Sequence, residues 1–107
     1  MRFADKTKVK ELVEKKKALL VDMRSPVQFR DTPVQGSVNL PLRNLANELV
    51  KIKDKKQPII LFGSGNNDPD VKAGITYSEN LGFDTYVTDH KQLTDTQPIK
   101  DFKSKKK

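Results

Sequence analysis

The stretch Pro58–Gly74, read as PIILFGSGNNDPDVKAG, decides the fold of this chain. It begins with the apolar run Ile59–Phe62, which no polar residue interrupts. Such a run after a proline is typical of a strand that is buried on both faces of a sheet. The loop Gly63–Asp68 follows, and Asp68-Pro69 has the residue types that cap and begin a helix. The sequence therefore predicts a buried strand, a curled loop and a helix in succession.

The loop between this strand and this helix is a candidate anion site. Its residues are Gly63, Ser64, Gly65, Asn66, Asn67 and Asp68. Glycine and asparagine tolerate positive φ, so the loop can curl and direct its backbone N–H groups toward one point near the helix N-terminus. Asp68 can either cap the helix or fold back and fill this cradle. An ordinary strand-to-helix turn favours the same residue types, and on the loop alone this simpler interpretation is the stronger one.

Apolar patterns on both sides of this stretch predict alternating strands and helices. A second uninterrupted apolar run, Ala18–Val21, predicts another buried strand, and apolar residues at helical spacing over 41–54 predict a helix. The predicted helices cover 5–17, 25–29, 41–54 and 69–81, and the predicted strands cover 18–21, 38–40, 59–62 and 83–87. Strands that alternate with helices form parallel sheets, so we predict one α/β domain with a central parallel sheet flanked by helices.

Polar residues follow several of these strands. Because parallel strands collect ligand sites at their carboxyl ends, we expect those residues to meet at one edge of the sheet. They are Asp22 and Arg24, the loop Gly63–Asp68, and Asp89 with His90. The Asp22 carboxylate and the Arg24 guanidinium are suited to fastening neighbouring loops through charge-assisted hydrogen bonds. A direct contact between Arg24 and a ligand is the alternative.

The stretch Leu19–Pro41, read as LLVDMRSPVQFRDTPVQGSVNLP, resembles a segment of rhodanese-like domains. The family pattern is similar to L-I-D-V-R-x-x-x-E-F-x-x-G-H-I-P-G-A-x-N-I-P, and the matching residues are Asp22, Arg24, Phe29, Gly36, Asn39 and Pro41. Thr32–Gln35 departs from the family's Gly-His-Ile-Pro, whereas Leu81–Phe83 and Tyr86–Val87 are similar to its L-x-x-x-G-F-x-x-V-Y-V. The resemblance covers about residues 5–93 and implies a rhodanese-like domain, to which we assign residues 1–97. In that family the aspartate–arginine pair is chiefly structural.

The loop Gly63–Asp68 resembles the active-site segment of the same family, C-R-S-G-N-R-S, which wraps a catalytic cysteine. The resemblance puts Gly63 at the cysteine, Asn67 on the family's asparagine and Asp68 on a position that is often basic. Farther along, Asp89-His90 stands where the family usually has two glycines, and the tryptophan of its terminal helix is absent. These departures leave the last helix open.

Rhodanese-like enzymes are thiosulfate or related sulfurtransferases, whose cysteine thiolate carries sulfur as a persulfide. The sequence contains no cysteine, and a glycine has no side chain that could take over the covalent step. We therefore interpret the chain as a non-catalytic binding or regulatory module. Two alternatives stay open: a sulfurtransferase-related enzyme that works with a partner's cysteine, and a hydrolase in which Ser64 is the nucleophile and His90 its base.

The chain of 107 residues carries a net charge of +7 and is long enough for one domain. Its end, Pro98–Lys107, contains five lysines and one aspartate, and we expect it to be disordered and dispensable for folding. No apolar run reaches the length of a membrane span. We expect a cytoplasmic monomer without a cofactor, a metal ion, a membrane anchor or a specific nucleic-acid partner. Its ligand would be an unknown protein or a small anion at the loop.

Overall fold

The computed structural model describes residues 2–65 and 68–94. Their elements are, in chain order, β1 (Arg2–Phe3), α1 (Lys6–Lys16), β2 (Leu19–Asp22), α2 (Pro26–Asp31), β3 (Val38–Asn39), α3 (Leu42–Leu49), β4 (Ile59–Phe62), α4 (Pro69–Asn80), β5 (Thr85–Val87) and α5 (His90–Thr94). Asn66, Asn67 and the segment 98–107, for which the sequence made predictions, lie outside the described residues. Within the described ranges, no helix has the length and apolar character that crossing a membrane requires.

The strand β4 lies at the centre of the sheet. The strand order is β1-β5-β4-β2-β3, and every pair of neighbours is parallel. Ile59 of β4 lies opposite Leu19 of β2 on one side and opposite Thr85 of β5 on the other. All four side chains of Ile59–Phe62 have an exposed fraction of 0%. The prediction of a strand buried on both faces, within a parallel sheet, is therefore confirmed.

Helices cover both faces of this sheet, because successive side chains of β4 point to opposite faces. Ile60 and Phe62 pack in one cluster with apolar residues of α1. Ile59 and Leu61 pack in a second cluster with apolar residues of α3 and with Val71 of α4. The apolar residues at helical spacing are thus the ones that face the sheet, and the predicted arrangement of a central sheet flanked by helices is confirmed.

The helix α3 is shorter than the sequence predicted. It ends at Leu49 instead of continuing to Asp54. Beyond it the chain turns tightly, because Lys51 N donates to Glu48 O and Ile52 N donates to Leu49 O, both at 3.1 Å. Ile52 still packs against the cluster on the α3 face of the sheet. This contact explains why its spacing suggested a longer helix.

Two short elements were not among the predictions. β1 adds an edge strand in which Arg2 lies opposite Tyr86, and a strand of two residues is too short to produce an alternating pattern. α5 begins at His90, with two residues between it and the end of β5, although the family's usual sequence signals for this helix are missing. The last helix, which the sequence left open, is therefore present over His90–Thr94.

The helix α1 has a defined cap at each end. Asp5 Oδ1 accepts a hydrogen bond from Lys8 N at 2.9 Å. After the last turn, Lys17 adopts the left-handed conformation with φ 56°, and Ala18 N donates to Leu12 O at 3.1 Å. Glycine is the usual residue at such a position, because a Cβ makes the left-handed conformation unfavourable. In the described part of the chain, Lys17 alone among the non-glycine residues has a positive φ.

We expect Lys17→Gly to raise the free energy of unfolding by about 1 kcal/mol, because glycine adopts this conformation without the Cβ contact. The matched control is Lys15→Gly inside the last helical turn, which should lower the free energy of unfolding by about 1 kcal/mol. Urea unfolding followed by circular dichroism measures both changes. A Lys17→Gly protein that unfolds at a lower urea concentration than the wild type would contradict this expectation. It would show that the contacts of the Lys17 side chain stabilise the fold by more than its left-handed backbone conformation destabilises it.

Candidate functional site

The carboxyl edge of the sheet carries the residues that the sequence singled out. Because all strands are parallel, the segments that follow β2, β4 and β5 leave the sheet at this edge. Asp22 is the last residue of β2 rather than the first residue beyond it. Next to it, Met23 N donates to Phe62 O at 2.8 Å. The segments that contain Arg24 and Gly63 are therefore direct neighbours.

Gly63 follows the last residue of β4 and has no free space for a side chain. A Cβ built on it would collide with Asp68 Oδ2, and it would lie 2.6 Å from Val71 Cγ2 and 3.1 Å from Asp68 Cγ. Close-packed protein interiors do not accommodate such short distances. A side chain at position 63 therefore requires both Asp68 and Val71 to move.

The carboxylate of Asp68 fills the space beside this glycine. Asp68 is the N-cap of α4, where its Oδ1 accepts a hydrogen bond from Asp70 N at 2.9 Å. Its Oδ2 accepts a hydrogen bond from Ser64 N at 3.3 Å. One carboxylate thus binds a backbone N–H group of the loop and another of the helix, as an external anion at this place would. Asp68 caps the helix and folds back toward the loop at the same time.

Asp22 and Arg24 form a buried ion pair that joins β2 to the end of α2. Their side chains are 0% and 5% exposed, and Arg24 Nη2 lies 2.8 Å from Asp22 Oδ2. Arg24 Nε lies 3.0 and 3.1 Å from the two carboxylate oxygens of Asp22. On its other side, Arg24 Nη1 donates to Thr32 Oγ1 at 2.8 Å, and Nη2 donates to Thr32 O at 2.7 Å. Every nitrogen of the guanidinium therefore donates to an oxygen of the protein.

Thr32 and Asn39 complete this network, and the sequence did not identify their roles. Asn39 Nδ2 donates to Asp22 O at 3.0 Å and to Arg24 O at 2.9 Å. Asn39 was visible as a match to the family pattern, but its partners were not. Thr32 was visible only as a departure from that pattern. Its contact with Arg24 spans the whole of α2, so only the tertiary arrangement reveals it.

Ser64 and His90 both lie at the carboxyl edge, but His90 contacts Phe62 and Thr32. Its ring packs against Phe62 with a centroid distance of 6.0 Å, and its Nε2 lies 3.4 Å from Thr32 O. Ser64 is exposed, as is Gly65, and its backbone N–H is bound by the Asp68 carboxylate. Neither of these two His90 contacts orients the imidazole as a base toward the serine.

An open groove of about 490 Å³ lies at the same edge. It is lined by Pro41, Leu42, Arg43, Asn44 and Asp70.

Nearby in sequence to α5, Thr88 is only 4% exposed, and its hydroxyl has no hydrogen-bond partner within the described ranges. Among residues 2–65 and 68–94, no group of three or more histidine, aspartate or glutamate side chains is placed to hold a metal ion.

We expect Arg24→Met to lower the free energy of unfolding by about 3 to 5 kcal/mol, because it leaves the buried Asp22 carboxylate without its counter-charge. The matched control is Arg30→Met, since Arg30 pairs with Asp31 at the surface and its side chain is 74% exposed. That change should stay within about 0.5 kcal/mol. Urea unfolding measures both. If the two substitutions had equal effects, the buried pair would not fasten these loops, and a ligand role for Arg24 would become the better explanation.

Three solved structures illustrate the proteins that share this fold. A rhodanese-like domain from Anabaena has a TM-score of 0.63 at 18% identity, over 89% of this chain and 69% of that chain. A rhodanese-related protein from Thermoplasma volcanium has a TM-score of 0.64 at 18% identity, over 83% and 84%. A protein from Lactobacillus plantarum has a TM-score of 0.68 at 18% identity, over 80% and 73%. At such low identity these likenesses concern the fold alone.

The comparison with protein families is more specific. No curated protein matches the chain significantly. The rhodanese-like domain family, however, matches residues 5–99, which is most of the chain. The parallel sheet of this chain, with helices on both faces, agrees with that match. The chain therefore belongs to the rhodanese-like domain family, as a member whose sequence contains no cysteine.

Proposed function

We propose that this protein is a non-catalytic rhodanese-like domain that acts as a binding or regulatory module. The observation that carries the proposal is Gly63, which stands where the family resemblance puts the catalytic cysteine. Sulfur transfer through a persulfide needs a thiolate, and the sequence contains no cysteine at any position. The close approach of Asp68 and Val71 to Gly63 supports the proposal, because it removes the space that a reactive side chain would need.

The charges at the carboxyl edge also argue against an anionic sulfur donor. Asp68 contributes a carboxylate beside the backbone N–H groups that would otherwise stabilise an anion. Neither Ser64 nor Gly65, nor the asparagines that follow, adds a positive charge to the loop. The Arg24 guanidinium is nearby in the fold, but it is buried and bound to Asp22 and Thr32. A thiosulfate ion approaching the loop would therefore meet the negative charge of Asp68.

The two enzymatic alternatives receive less support. A partner's cysteine would have to enter the space that Asp68 and Val71 occupy beside Gly63. A hydrolase would need His90 to accept a proton from Ser64, whereas the His90 ring packs on Phe62 and its Nε2 lies near Thr32 O.

The same proposal includes a cytoplasmic location and a monomeric state. Of the two ligand classes that the sequence left open, a protein or a small anion, it favours a protein, because the Asp68 carboxylate already binds the N–H groups that an anion would use. Charged residues make up 33% of the sequence, and the net charge is +7. A high content of charged residues and a net charge away from zero disfavour self-association. Gel filtration with light scattering tests the monomer directly.

We expect the purified protein to show no thiosulfate:cyanide sulfurtransferase activity, because it has no thiolate to carry the sulfur. Thiocyanate release is the measurement. Gly63→Cys should restore little activity, since the new side chain collides with Asp68 and Val71. The control variant Ser64→Cys places a thiol at an exposed position of the same loop and should react with a thiol reagent faster than Gly63→Cys. Thiocyanate release by the wild type that follows the protein through purification would overturn the proposal.

We expect the Asp68 carboxylate to block anion binding at the loop. Sulfate, phosphate and thiosulfate should leave the amide shifts of residues 63–65, 68, 70 and 71 unchanged in the wild type. Asp68→Ser removes the charge and shortens the side chain but still offers an oxygen as N-cap, so saturable shifts should appear there. Asp68→Asn removes the charge and keeps the volume, and Asp70→Asn is the control for charge alone at a neighbouring exposed position.

The comparison of these variants separates charge from volume. Shifts in Asp68→Ser but not in Asp68→Asn would mean that the side chain blocks the cradle by its size. Shifts in both, with none in Asp70→Asn, would mean that it blocks by its charge. Saturable shifts in the wild type would contradict self-occupation by Asp68, and no shifts in any variant would contradict an anion cradle.

A further inference from the structure

The amino edge of the sheet, opposite to the edge described above, carries a dense group of lysines. We call this group the basic edge, and its members are Lys15, Lys16, Lys17, Lys51, Lys53, Lys55 and Lys56. They come from the end of α1 and from the segment between α3 and β4. All seven are exposed.

The two segments of the basic edge are neighbours in space because β2 and β4 are neighbours in the sheet. Gln57 Nε2 donates to Lys17 O at 2.9 Å, and Leu19 N donates to Pro58 O at 2.9 Å. These bonds hold Lys17 and the first residue of β2 against the residues before β4. The lysines that are 34 or more positions apart in sequence thus form one surface.

Positive charge is concentrated at this surface and not spread over the domain. The segments 15–17 and 51–56 contain seven lysines and one aspartate, a formal charge of +6. The rest of residues 1–97 contains nine basic and twelve acidic residues, a formal charge of −3. The domain is therefore polarised between the basic edge and the remainder of its surface, and this polarity steers oppositely charged partners toward one side.

Local structure explains only part of this lysine group. Lys15 and Lys16 lie in the last turn of α1, where they complement the helix dipole. Lys53 and Lys56 lie beyond the end of α3, so this explanation does not apply to them. Lys17 takes a left-handed position at which glycine would be more stable. No carboxylate in the described part of the chain forms an ion pair with any of these five lysines.

An apolar residue lies within the same surface. Val50, directly before Lys51, is 58% exposed. By contrast, the Phe83 ring is 4% exposed and lies under Lys55 Nζ, which is 4.4 Å from the ring centroid. Single-stranded nucleic acids bind on exposed aromatic rings, and the described residues of this edge offer none. An aliphatic side chain among positive charges is instead suited to a protein surface with an apolar anchor and an acidic rim.

We propose that the basic edge is the docking surface for an acidic protein partner, with Val50 as its apolar contact. This inference rests on the proposed function as a binding module, and it names the partner by its chemistry. The lysines provide the attraction and the orientation, whereas Val50 distinguishes a protein from a phosphate backbone. The carboxyl edge takes no part in this contact, because it lies at the other end of the strands.

The test uses the full chain and a fluorescein-labelled peptide of Glu-Glu-Leu repeats, with binding followed by fluorescence anisotropy. The first variant, Lys16→Glu/Lys53→Glu/Lys56→Glu, reverses three charges of the basic edge. The matched control, Arg30→Glu/Lys72→Glu/Lys91→Glu, reverses three exposed charges elsewhere and changes the net charge equally. The third variant, Val50→Ser, leaves all charges in place. Melting temperatures establish that each variant is folded. If a triple variant does not fold, the same three positions are changed to glutamine instead of glutamate.

We expect the first variant to bind the peptide about tenfold more weakly than the wild type, and the control to bind within about twofold. Val50→Ser should weaken peptide binding and leave the binding of an oligo(dT) strand or an RNA duplex unchanged. Wild-type affinity should fall as salt rises from about 50 to 200 mM, because the contact is largely electrostatic.

Several results would overturn the inference. An equal loss in both triple variants would mean that net charge alone attracts the peptide. Tighter binding of a nucleic acid than of the peptide, or a Val50→Ser variant that binds the peptide as the wild type does, would assign the surface to phosphate backbones. Absence of binding at low salt would remove the docking surface altogether. None of these results bears on sulfurtransferase activity, so a failure here is distinguishable from a failure of the proposed function.

Discussion

The burial of β4 is the constraint on which the rest of this domain depends. Four consecutive side chains without exposure require a helix layer on each face, and their backbone groups require a strand on each side. β2 and β5 provide those strands. Just beyond them, Met23 N donates a hydrogen bond to Phe62 O and Thr88 N donates one to Leu61 O, so both segments are fixed to β4. The chain leaves the sheet at Gly63 between these two fixed segments. The position of the loop therefore follows from the core.

Sequence patterns predicted the elements that bury the most apolar surface. The uninterrupted runs located β2 and β4, and the helical spacing located α1 and α4 close to their observed bounds. The pattern failed where an apolar residue packs on the core from outside a helix, as Ile52 does beyond α3. It also missed β1, which has only two residues. Periodicity reports which residues face the core, and it does not report whether the backbone between them is helical.

The candidate site was predictable in its parts but not in its contacts. Residue types and spacing identified Asp22 and Arg24, and the strand–loop–helix order identified the loop. The sequence offered helix capping and folding back as alternatives for Asp68, whereas one carboxylate oxygen accepts from Asp70 N and the other from Ser64 N. Such a shared role depends on how far the loop curls. The lack of space for a side chain at Gly63 depends on the same curl, and no local sequence pattern encodes that curl.

A parallel sheet separates the chemistry of its two edges, because each helix returns the chain to the amino edge before the next strand begins. At the carboxyl edge Asp22 and Arg24 neutralise one another, and the Asp68 carboxylate binds backbone N–H groups. At the amino edge, Lys51 pairs with Glu48, whereas Lys15, Lys16, Lys17, Lys53 and Lys56 form no ion pair with a carboxylate among the described residues. A scaffold of this kind can lose the chemistry at one edge without any change to the other, since folds tolerate the exchange of sites.

The shortness of the outermost strands has a consequence for how this chain behaves in concentrated solution. The run Ile59–Phe62 has the composition of segments that assemble into intermolecular sheets when they are exposed. In the folded domain it is enclosed between two strands, and the sheet ends on both sides in strands of two residues, β1 and β3. So short an edge offers a second chain few backbone groups to pair with. Lys55 and Lys56 stand shortly before the run, and charged residues in such positions disfavour the association of a strand that is not yet enclosed.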